Sequence, residues 1–339
     1  NPAARVPLRV YHHGAQPVDE GYLDGLLDQA IALRQDIFRL PETTNAYRVV
    51  NAEGDGLSGL IVDRFDGVLS LEVSTLGMHQ RLTRWLPRLH AALGTRSAVM
   101  HVSEENQRLE NIPEPSTPPS RREKITEHGV TFEVDFSAGH KTGFFCDQRD
   151  NRLRFANLTA GKRVLDLCSY TGGFAVYAAT RGAAEHVTAV DLDETAVAQG
   201  QRNANLNQVP GNRAKFVHAD VFSWMRQMAR NDTAFDVVML DPPKLVHGRT
   251  EEAFAEGEQK YHDLNQLAAR LVAPGGWLVT CSCSGLLPAA DFEAIALRGI
   301  HRAGRRAQII DRTGPAPDHP EYSNHPEGRY LKVLWMRLV

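Results

Sequence analysis

The sequence predicts an α/β protein in which a doubly wound, mostly parallel sheet follows a smaller α+β domain. From residue 163 onward, short apolar strands alternate with helical segments at the spacing of strand–helix–strand units. Residues 13–124 have a different rhythm, with amphipathic helices and short strands around a Gly-Asp-Gly turn. The polar stretch 104–124 holds four prolines and predicts a loop. The length of 339 residues agrees with two domains.

The elements of the first domain follow from hydrophobic spacing and from turn residues. Leu23, Leu26 and Leu27 recur at helical spacing, and Pro41 sets the end of that helix. Gly54 and Gly56 mark a turn between two strands. In order, the predicted elements are a β-like stretch over 5–11, a helix over 18–40, strands over 47–51 and 60–73, a helix over 78–93 and a strand over 98–102.

The second domain is predicted from five short apolar runs and the amphipathic segments between them. The strands are predicted at 163–167, 187–190, 215–217, 237–240 and 277–281, and the helices at 173–181, 194–207, 221–230 and 258–271. In such sheets, ligands bind beyond the carboxyl ends of the strands. The residues that follow each strand are therefore the first candidates for a functional site.

Composition excludes several classes of protein. Four cysteines are too few for a disulfide scaffold, and a net charge of -3 argues against a general nucleic-acid or membrane binder. No apolar run approaches the ~18 residues that a membrane span needs. The first residues show no signal-peptide pattern, so we expect a cytoplasmic protein.

The first strand of the second domain ends in a glycine pair. The segment DLCSYTGGF (166–174) runs from the strand into a helix, and Gly172 allows the backbone to approach a bound molecule closely. A tight packing turn is the alternative interpretation. The segment is not G-x-G-x-x-G, and no Gly-Lys-Ser/Thr follows it, so neither phosphate-binding loop is supported.

Carboxylates stand at three successive strand ends. Asp166 belongs to the first, and Asp191 lies about 20 residues after the glycine turn, the spacing at which an acid reaches ribose hydroxyls. Asp220 follows the third strand, where a carboxylate can accept from an adenine amine. Helix capping is the alternative for Asp191 and Asp220, although Asp193 is better placed to cap than Asp191. Together the three acids predict an adenosine ligand.

The fourth and fifth strand ends carry the reactive side chains. DPPK (241–244) places Asp241 and Lys244 on a loop that two prolines stiffen; a rigid turn with both side chains solvated is the alternative. Cys281 and Cys283 share one face of an extended strand. A metal site would need further spaced ligands that are absent from this stretch, and burial as small apolar side chains is plausible for Cys281. Cys283 lies past the strand end, where a thiolate can reach a substrate.

Motifs in this order also point to a known family. They are EHGV (127–130), GHKTGFF (139–145), DQRDNR (147–152), SYTGGF (169–174), DPPK (241–244), SCSG (282–285), DHP (318–320) and PEGRYLK (326–332), with YR (47–48) and GLSGLIVDR (56–64) in the first half. Together they resemble class I S-adenosylmethionine-dependent methyltransferases with a Rossmann-like fold. The closer resemblance is to the bacterial 23S ribosomal RNA (cytosine-5)-methyltransferases, which form 5-methylcytosine.

The resemblance implies S-adenosyl-L-methionine as cofactor and adds residues near its methionine end. The predicted cofactor-binding residues are Lys141, Thr142, Phe144, Arg149, Asp166, Ser169, Tyr170, Thr171, Gly172, Asp191, Asp220 and Asp241. Arg149 suits the methionine carboxylate; its alternative is a surface ion pair with Asp147 or Asp150. Of Phe144 and Phe145, we expect one ring in the core and one at the ligand.

The resemblance also implies a catalytic assignment. Cys283 would be the nucleophile that adds to carbon 6 of the base, and Cys281 is the second choice. Asp241 would hydrogen-bond or protonate ring nitrogen 3, and Lys244 would orient the base or a phosphate. The target base must leave its stack to reach these groups.

Domains and partners complete the expectation. Residues 1–12 resemble the last strand of an RNA-binding PUA domain, residues 13–124 form the α+β central domain on the RNA side, and residues 125–339 form the methyltransferase domain. The expected partner is 23S ribosomal RNA, without membrane or metal, for a monomer or homodimer. The alternatives are a methyltransferase for another RNA base or substrate without cysteine catalysis, and a non-catalytic RNA-binding protein. A nicotinamide oxidoreductase is disfavoured by the missing phosphate fingerprint.

Overall fold

A computed structural model describes residues 1, 4, 6–12, 14–115, 122–136 and 144–339 of the chain. Its contacts divide the chain into two compact units. The first comprises Asn1–Arg149 and Ala316–Gly328, and the second comprises Asp150–Pro315 and Arg329–Val339. The packing thus divides the chain after Arg149, whereas the sequence predicts a boundary at residue 124.

The segment just after residue 124 belongs to the first unit because its backbone is bonded there. Asn45 N donates to Thr126 O (3.1 Å), and His128 N donates to Thr43 O (2.9 Å). These bonds were not predictable from the prolines that precede the segment, since prolines mark a loop without saying which side the next strand joins.

The first unit is built on a four-stranded sheet with helices. Its elements are α1 (Glu20–Ala32), β1 (Ala46–Asn51), β2 (Leu60–Phe65), β3 (Val68–Val73), α2 (Leu76–Leu93), β4 (Ser97–His101), α3 (Glu104–Glu110), β5 (Arg122–Glu127) and β6 (Val130–Asp135). The strand order is β1-β2-β3-β4, with only the β3–β4 pair parallel. β5 and β6 form an antiparallel hairpin whose turn residues, His128 and Gly129, have positive φ.

Two predictions for this unit are wrong. Residues 6–12 form no strand in the described part of the chain, because an extended segment becomes a strand only when a neighbour pairs with it. The predicted loop at 104–124 begins instead with α3, where Ser103 accepts a hydrogen bond from Asn106 N at 3.2 Å. Its first proline, Pro113, lies beyond that helix.

The helix predicted over 18–40 is interrupted. Asp19 caps α1 by accepting from Tyr22 N at 2.8 Å, as a capping residue should. After Ala32 the chain continues as a single π-helical turn over Leu33–Ile37 and then leaves the helix at Arg39, whose φ is 52°. Within this turn, the Arg34 side chain is fully buried.

Asp318 is the polar centre of the first unit. Its carboxylate accepts from both terminal nitrogens of Arg149 (3.0 and 2.8 Å) and from Arg48 N (2.9 Å). Its carbonyl accepts from Arg34 at 2.6 Å, and Arg34 also forms a two-pronged pair with Asp55. Burial would raise the pKa of Asp318, but His319 and Arg149 outweigh it and hold that pKa well below its usual range.

The second unit contains the predicted doubly wound sheet. Its elements are α4 (Arg149–Ala156, whose first residue belongs to the first unit), β7 (Arg163–Leu167), α5 (Gly173–Ala179), β8 (His186–Asp191), α6 (Glu194–Leu206), β9 (Ala214–His218), α7 (Val221–Arg230), β10 (Phe235–Leu240), α8 (Glu251–Leu271), β11 (Val272–Ser282), α9 (Ala289–Arg302), β12 (Ala307–Thr313) and β13 (Lys332–Leu338). The strand order is β12-β13-β11-β10-β7-β8-β9. All pairs from β11 to β9 are parallel, and β13 runs antiparallel to both its neighbours. The α/β prediction is confirmed.

The strand order places a switch point between β7 and β10. From β7 the chain proceeds to β8 and β9 on one side, then returns to β10 and β11 on the other. Connections that leave in opposite directions open a crevice at the carboxyl ends of the two central strands, which is where ligands bind in open α/β sheets. Among the described residues, no helix is long and apolar enough to cross a membrane.

We predict that replacing Asp318 with Asn lowers the free energy of unfolding at pH 7 by about 3 kcal/mol, because the substitution breaks a buried ion pair. The ionised carboxylate of Asp318 stabilises the fold above the pKa of an unfolded Asp, about 3.9, and this contribution is lost as pH falls toward the lower folded pKa. The difference between the two proteins should therefore shrink at pH 3. Urea-induced unfolding at both pH values measures it.

The matched control is Asp311→Asn. Asp311 pairs with Arg154 at an exposed position of the second unit, where water screens the interaction. Its loss should leave the free energy of unfolding almost unchanged. Equal losses in the two variants would contradict the central role of Asp318.

Candidate active site

The parallel sheet gathers four carboxylates at one edge. Asp166 lies in β7, Asp191 ends β8, and Asp220 and Asp241 follow β9 and β10. Burial raises the pKa of the Cys168 thiol well above its usual value, and the nearby carboxylates of Asp191, Asp241, Asp166 and Asp220 raise it further. The predicted acids therefore lie together around Cys168, and this cysteine stays a neutral thiol at physiological pH.

The loop between β7 and α5 is held in an unusual conformation. Cys168 and Tyr170 have φ values of 58° and 48°, in the left-handed region that disfavours side chains by about 1–2 kcal/mol each. Asp191 stabilises this geometry, since its Oδ2 accepts from Tyr170 N at 2.7 Å. Ser169 N donates to Val190 O at 3.1 Å. The loop is thus fixed to the end of β8 at two successive residues.

Gly172 is required by packing. Its φ is 79°, and a Cβ built on it would lie 2.7 Å from a ring carbon of Phe216 and 3.3 Å from the Cα of Gly200. Both distances are shorter than a normal van der Waals contact between carbon atoms. The structure therefore supports the packing-turn interpretation for this glycine.

Two buried polar atoms of this edge have no hydrogen-bond partner among the described residues, namely Asp166 Oδ1 and Ser169 Oγ. The other oxygen of Asp166 accepts from Ala175 N at 2.9 Å and so holds the start of α5. Burial raises the pKa of Asp166 well above its usual range; the Ala175 bond opposes this, and the charges of Asp241 and Asp191 add to it. Unsatisfied buried polar atoms are typical of a site that a ligand or water completes.

Asp191, Asp193 and Asp220 have different local roles. Asp193 caps α6 by accepting from Thr195 N (2.8 Å) and Ala196 N (3.1 Å), as predicted. Asp220 is exposed and caps α7, which agrees with its alternative interpretation. Asp191 caps no helix and instead accepts from the backbone of the loop after β7 and from Asp193 N.

Cys283 lies beside the loop that follows β10. Strand β11 ends at Ser282, and the Cys283 Sγ is 4.0 Å from the Pro242 carbonyl oxygen, within range of a weak S–H···O contact. Cys283 is partly exposed, whereas Cys281 is fully buried within β11. The structure thus brings together the DPPK loop and Cys283, the two predicted catalytic segments. It places Cys281, the second choice for the nucleophile, in the core.

A network of buried hydroxyl groups holds these two segments in register. Ser284 Oγ accepts from Leu245 N (3.2 Å) and Val246 N (3.3 Å), the two residues that follow DPPK. Tyr261 of α8 lies 2.9 Å from that same oxygen, and Ser282 donates to the Tyr261 hydroxyl at 3.0 Å. Sequence reasoning missed Tyr261, because nothing in a helix sequence says which turn of a distant strand it will meet.

Comparison with known proteins identifies the family. A family model for S-adenosylmethionine-dependent methyltransferases matches residues 72–335. The chain belongs to this family. Ribosomal RNA large subunit methyltransferase I of Salmonella arizonae is 36% identical to the chain over 345 residues, covering 100% of the chain and 85% of the relative. The same enzyme of Klebsiella pneumoniae is 35% identical with the same coverage.

Solved structures agree on the fold of the methyltransferase. SMU.776, a protein assigned as a methyltransferase and solved in complex with SAH, superposes with a TM-score of 0.81 at 23% identity. The superposition covers 96% of this chain and 83% of that one. A structure from Streptococcus mutans assigned as a SAM-dependent methyltransferase superposes with a TM-score of 0.80 at 21% identity. At these identities the likeness concerns the fold alone.

The methyltransferase depends on S-adenosylmethionine, and the edge described above fits it. Asp191 retains lone pairs for ribose hydroxyls beyond its two backbone contacts, and Ser169 Oγ and Asp166 Oδ1 offer unsatisfied polar atoms. No phosphate-binding loop is needed, because the cofactor carries no phosphate group.

Other predicted cofactor residues lie in the first unit. Phe144 is buried with its ring centroid 5.1 Å from that of Phe132, while Phe145 is 46% exposed. Arg149 is buried and pairs with Asp318, so it does not form the solvated surface ion pair that was its alternative interpretation. The cofactor contacts of Phe144 and Arg149 stay predictions. Lys141 and Thr142 lie outside the described residues.

The four cysteines of the methyltransferase are all free thiols. Cys146 is buried in the first unit, and burial raises its pKa well above the usual value, with Asp63 and Asp318 adding to the effect. Across the described ranges, no group of three or more His, Cys, Asp or Glu side chains is arranged to hold a metal ion. Of the four, Cys283 combines partial exposure with a place beside DPPK.

We predict that replacing Ser284 with Ala lowers the free energy of unfolding by about 2 kcal/mol. The substitution removes an acceptor of Leu245 N and Val246 N, leaves the buried Val246 N unsatisfied and takes a hydrogen-bond partner from the Tyr261 hydroxyl. Urea denaturation followed by circular dichroism measures the loss.

A suitable control is Ser58→Ala in the first unit. The Ser58 hydroxyl donates to Glu53 at 2.7 Å, but both side chains are half-exposed, and water replaces the lost bond. We expect a loss of roughly 0.5 kcal/mol. Similar losses in both variants would show that Ser284 does not hold the loop.

Proposed function

We propose that this methyltransferase methylates carbon 5 of a cytosine in 23S ribosomal RNA through a covalent adduct with Cys283. The observation that carries the proposal is the position of the Cys283 thiol, 4.0 Å from Pro242 O at the edge where the carboxylates gather. The relatives named ribosomal RNA large subunit methyltransferase I support ribosomal RNA as the substrate.

The chemistry requires a nucleophile because carbon 5 of cytosine is itself a poor one. The Cys283 thiolate forms a bond from Sγ to carbon 6, which makes carbon 5 electron-rich like an enamine. S-adenosylmethionine supplies the methyl group that carbon 5 then takes; its sulfur–methyl bond would break and S-adenosylhomocysteine would leave. A base removes the proton from carbon 5, the carbon 6–sulfur bond breaks, and its electron pair returns to sulfur as the thiolate.

Asp241 and Lys244 would assist from the loop after β10. Addition of the thiolate moves negative charge onto the ring, and a protonated or hydrogen-bonding Asp241 at ring nitrogen 3 offsets this charge. The Asp241 backbone N donates to Leu167 O at 3.2 Å, which fixes the start of the loop on β7. Lys244 is exposed and free to orient the base or a phosphate.

The cofactor would lie over the ends of β7, β8 and β9. In this arrangement Asp191 accepts from the ribose hydroxyls, Asp220 accepts from the adenine amine, and Ser169, Tyr170 and Thr171 line the loop against the cofactor. Asp191 is partly exposed and Asp220 is exposed, so both carboxylates are accessible to a ligand.

RNA contacts must be local, because the chain has a net charge of -3. Among the basic side chains from the last residue of α9 onward, Arg305 is already engaged, since it donates to Val272 O at 2.7 Å. Arg302 and Arg306 are exposed and available for phosphates. These two exposed arginines are therefore candidates for local RNA contacts.

We predict that Cys283→Ala lowers the rate of methyl transfer by about a thousandfold or more, as expected when a covalent nucleophile is removed. The assay follows labelled methyl groups from S-adenosylmethionine into ribosomal RNA from cells that lack the gene, and mapping of 5-methylcytosine identifies the product. Cys281→Ala is the matched control, since this buried thiol should be dispensable for turnover.

One result would refute this mechanism, and another would reopen the choice of the nucleophilic cysteine. Retained turnover in Cys283→Ala would show that the enzyme acts without cysteine catalysis, on this or another base. If both cysteine variants fold normally and both lose turnover, the positions of the two thiols do not by themselves identify Cys283 as the nucleophile.

We predict that Asp191→Ala weakens S-adenosylmethionine binding about tenfold or more, because the ribose hydroxyls lose a charged acceptor. Isothermal titration calorimetry measures the affinity directly. Asp193→Ala, two residues away, is the control: loss of the α6 cap should lower stability by about 1 kcal/mol and leave the affinity unchanged. Absence of binding heat in the unmodified protein would instead favour a non-catalytic RNA-binding role.

A further inference from the structure

A buried lysine stands next to the turn that carries Cys283. Lys332 is the first residue of β13 and pairs with Ser282, the last residue of β11, across the antiparallel ladder. Its side chain is only 7% exposed. Lysine is rarely buried without a compensating partner, so its surroundings call for an explanation.

The Lys332 ammonium is held by backbone carbonyls. Nζ donates to Ser284 O at 2.7 Å and to Leu287 O at 2.9 Å, and these two carbonyls belong to the turn that begins at Cys283. In the described part of the chain, Lys332 forms no ion pair with a carboxylate. Burial lowers the pKa of Lys332 to about 8, while the Cys283 thiolate opposes this shift. The two carbonyls therefore hold the ammonium at the turn that carries Cys283, and the Cys283 side chain is close enough to act on its charge.

We propose that Lys332 is a positioning residue that acts through Cys283: its buried ammonium favours the thiolate form of Cys283, and its two hydrogen bonds fix the turn that presents the sulfur. The benefit for methyl transfer rests on the proposed function, whereas the electrostatic coupling between the two side chains does not.

Three other described side chains near this turn, Tyr261, Asp241 and Lys244, do not supply this charge. Tyr261 faces Cys283 from α8, but burial raises the pKa of Tyr261 to about 12, so its hydroxyl remains neutral. The loop after β10 carries Asp241, whose negative charge opposes a thiolate, and Lys244, which is exposed and screened by water. Of these four described side chains, Lys332 is the buried cation, and burial strengthens its field at the sulfur.

The alkylation rate of Cys283 as a function of pH tests the coupling. Iodoacetamide reacts with the thiolate, which displaces iodide and leaves a carbamidomethyl group on Sγ; peptide mass spectrometry separates Cys283 from the other three cysteines. In Lys332→Met and Lys332→Gln we expect the midpoint of this profile to rise by about one pKa unit or more, since a nearby ammonium lowers a thiol pKa.

The variants separate charge from hydrogen bonding. Gln retains a donor for the carbonyls without the charge, so a raised midpoint in Lys332→Gln assigns the effect to charge. Lys332→Arg keeps a positive charge at this position, so the midpoint of its alkylation profile should stay close to that of the unmodified protein. Lys260→Met is the matched control, because Lys260 pairs with Glu256 on the exposed side of α8 and should leave the midpoint unchanged. Thermal melting verifies that each variant folds.

An unchanged midpoint in both Lys332→Gln and Lys332→Met would overturn the proposal, and so would an equal rise in Lys260→Met. If Lys332→Met fails to fold, the comparison of Lys332→Gln with Lys332→Arg still decides between charge and packing. Failure of the proposed function is seen separately, as retained methyl transfer in Cys283→Ala, and it would leave the measured coupling of the two side chains intact.

Discussion

The parallel pairing of β7 with β8 and β10 is the constraint on which the site depends. Because the register pairs Leu167 with both Val190 and Leu240, the three strands end at the same level, and the residues after them meet. A shift of one residue in either pair would turn a carboxylate away from this edge. The strained loop after β7 persists because hydrogen bonds to the end of β8 outweigh the cost of its left-handed residues.

The turn at Cys283 is organised by a different principle. Ser284, Tyr261 and Lys332 approach it from three separate elements, and each is buried with its hydrogen bonds made to neighbouring protein atoms. Such networks are costly when incomplete and rigid when complete, so they fix one geometry where an apolar core would tolerate several. The sulfur is thereby held beside the loop after β10 by groups that do not themselves react.

In the first unit, a single carboxylate joins distant parts of the chain. Asp318 binds Arg149, 169 residues away, and its carbonyl binds Arg34, 284 residues away. The segment Ala316–Gly328 therefore packs with the first unit although β12 and β13, on either side of it, belong to the second unit. This return of the chain brings Asp318 of the short DHP motif against Arg149 and Arg34, which are distant in sequence.

The sequence by itself determined the alternation of strands and helices, the acids at the strand ends and the position of Cys283 just past β11, because hydrophobic period and strand-end chemistry are local properties. The tertiary structure decided what depends on distant partners. It paired Arg149 with Asp318, placed Phe144 in a core, turned the start of a proline-rich stretch into α3, and set Lys332 and Tyr261 at Cys283. These outcomes require knowing which segments meet in space, and no local pattern records that.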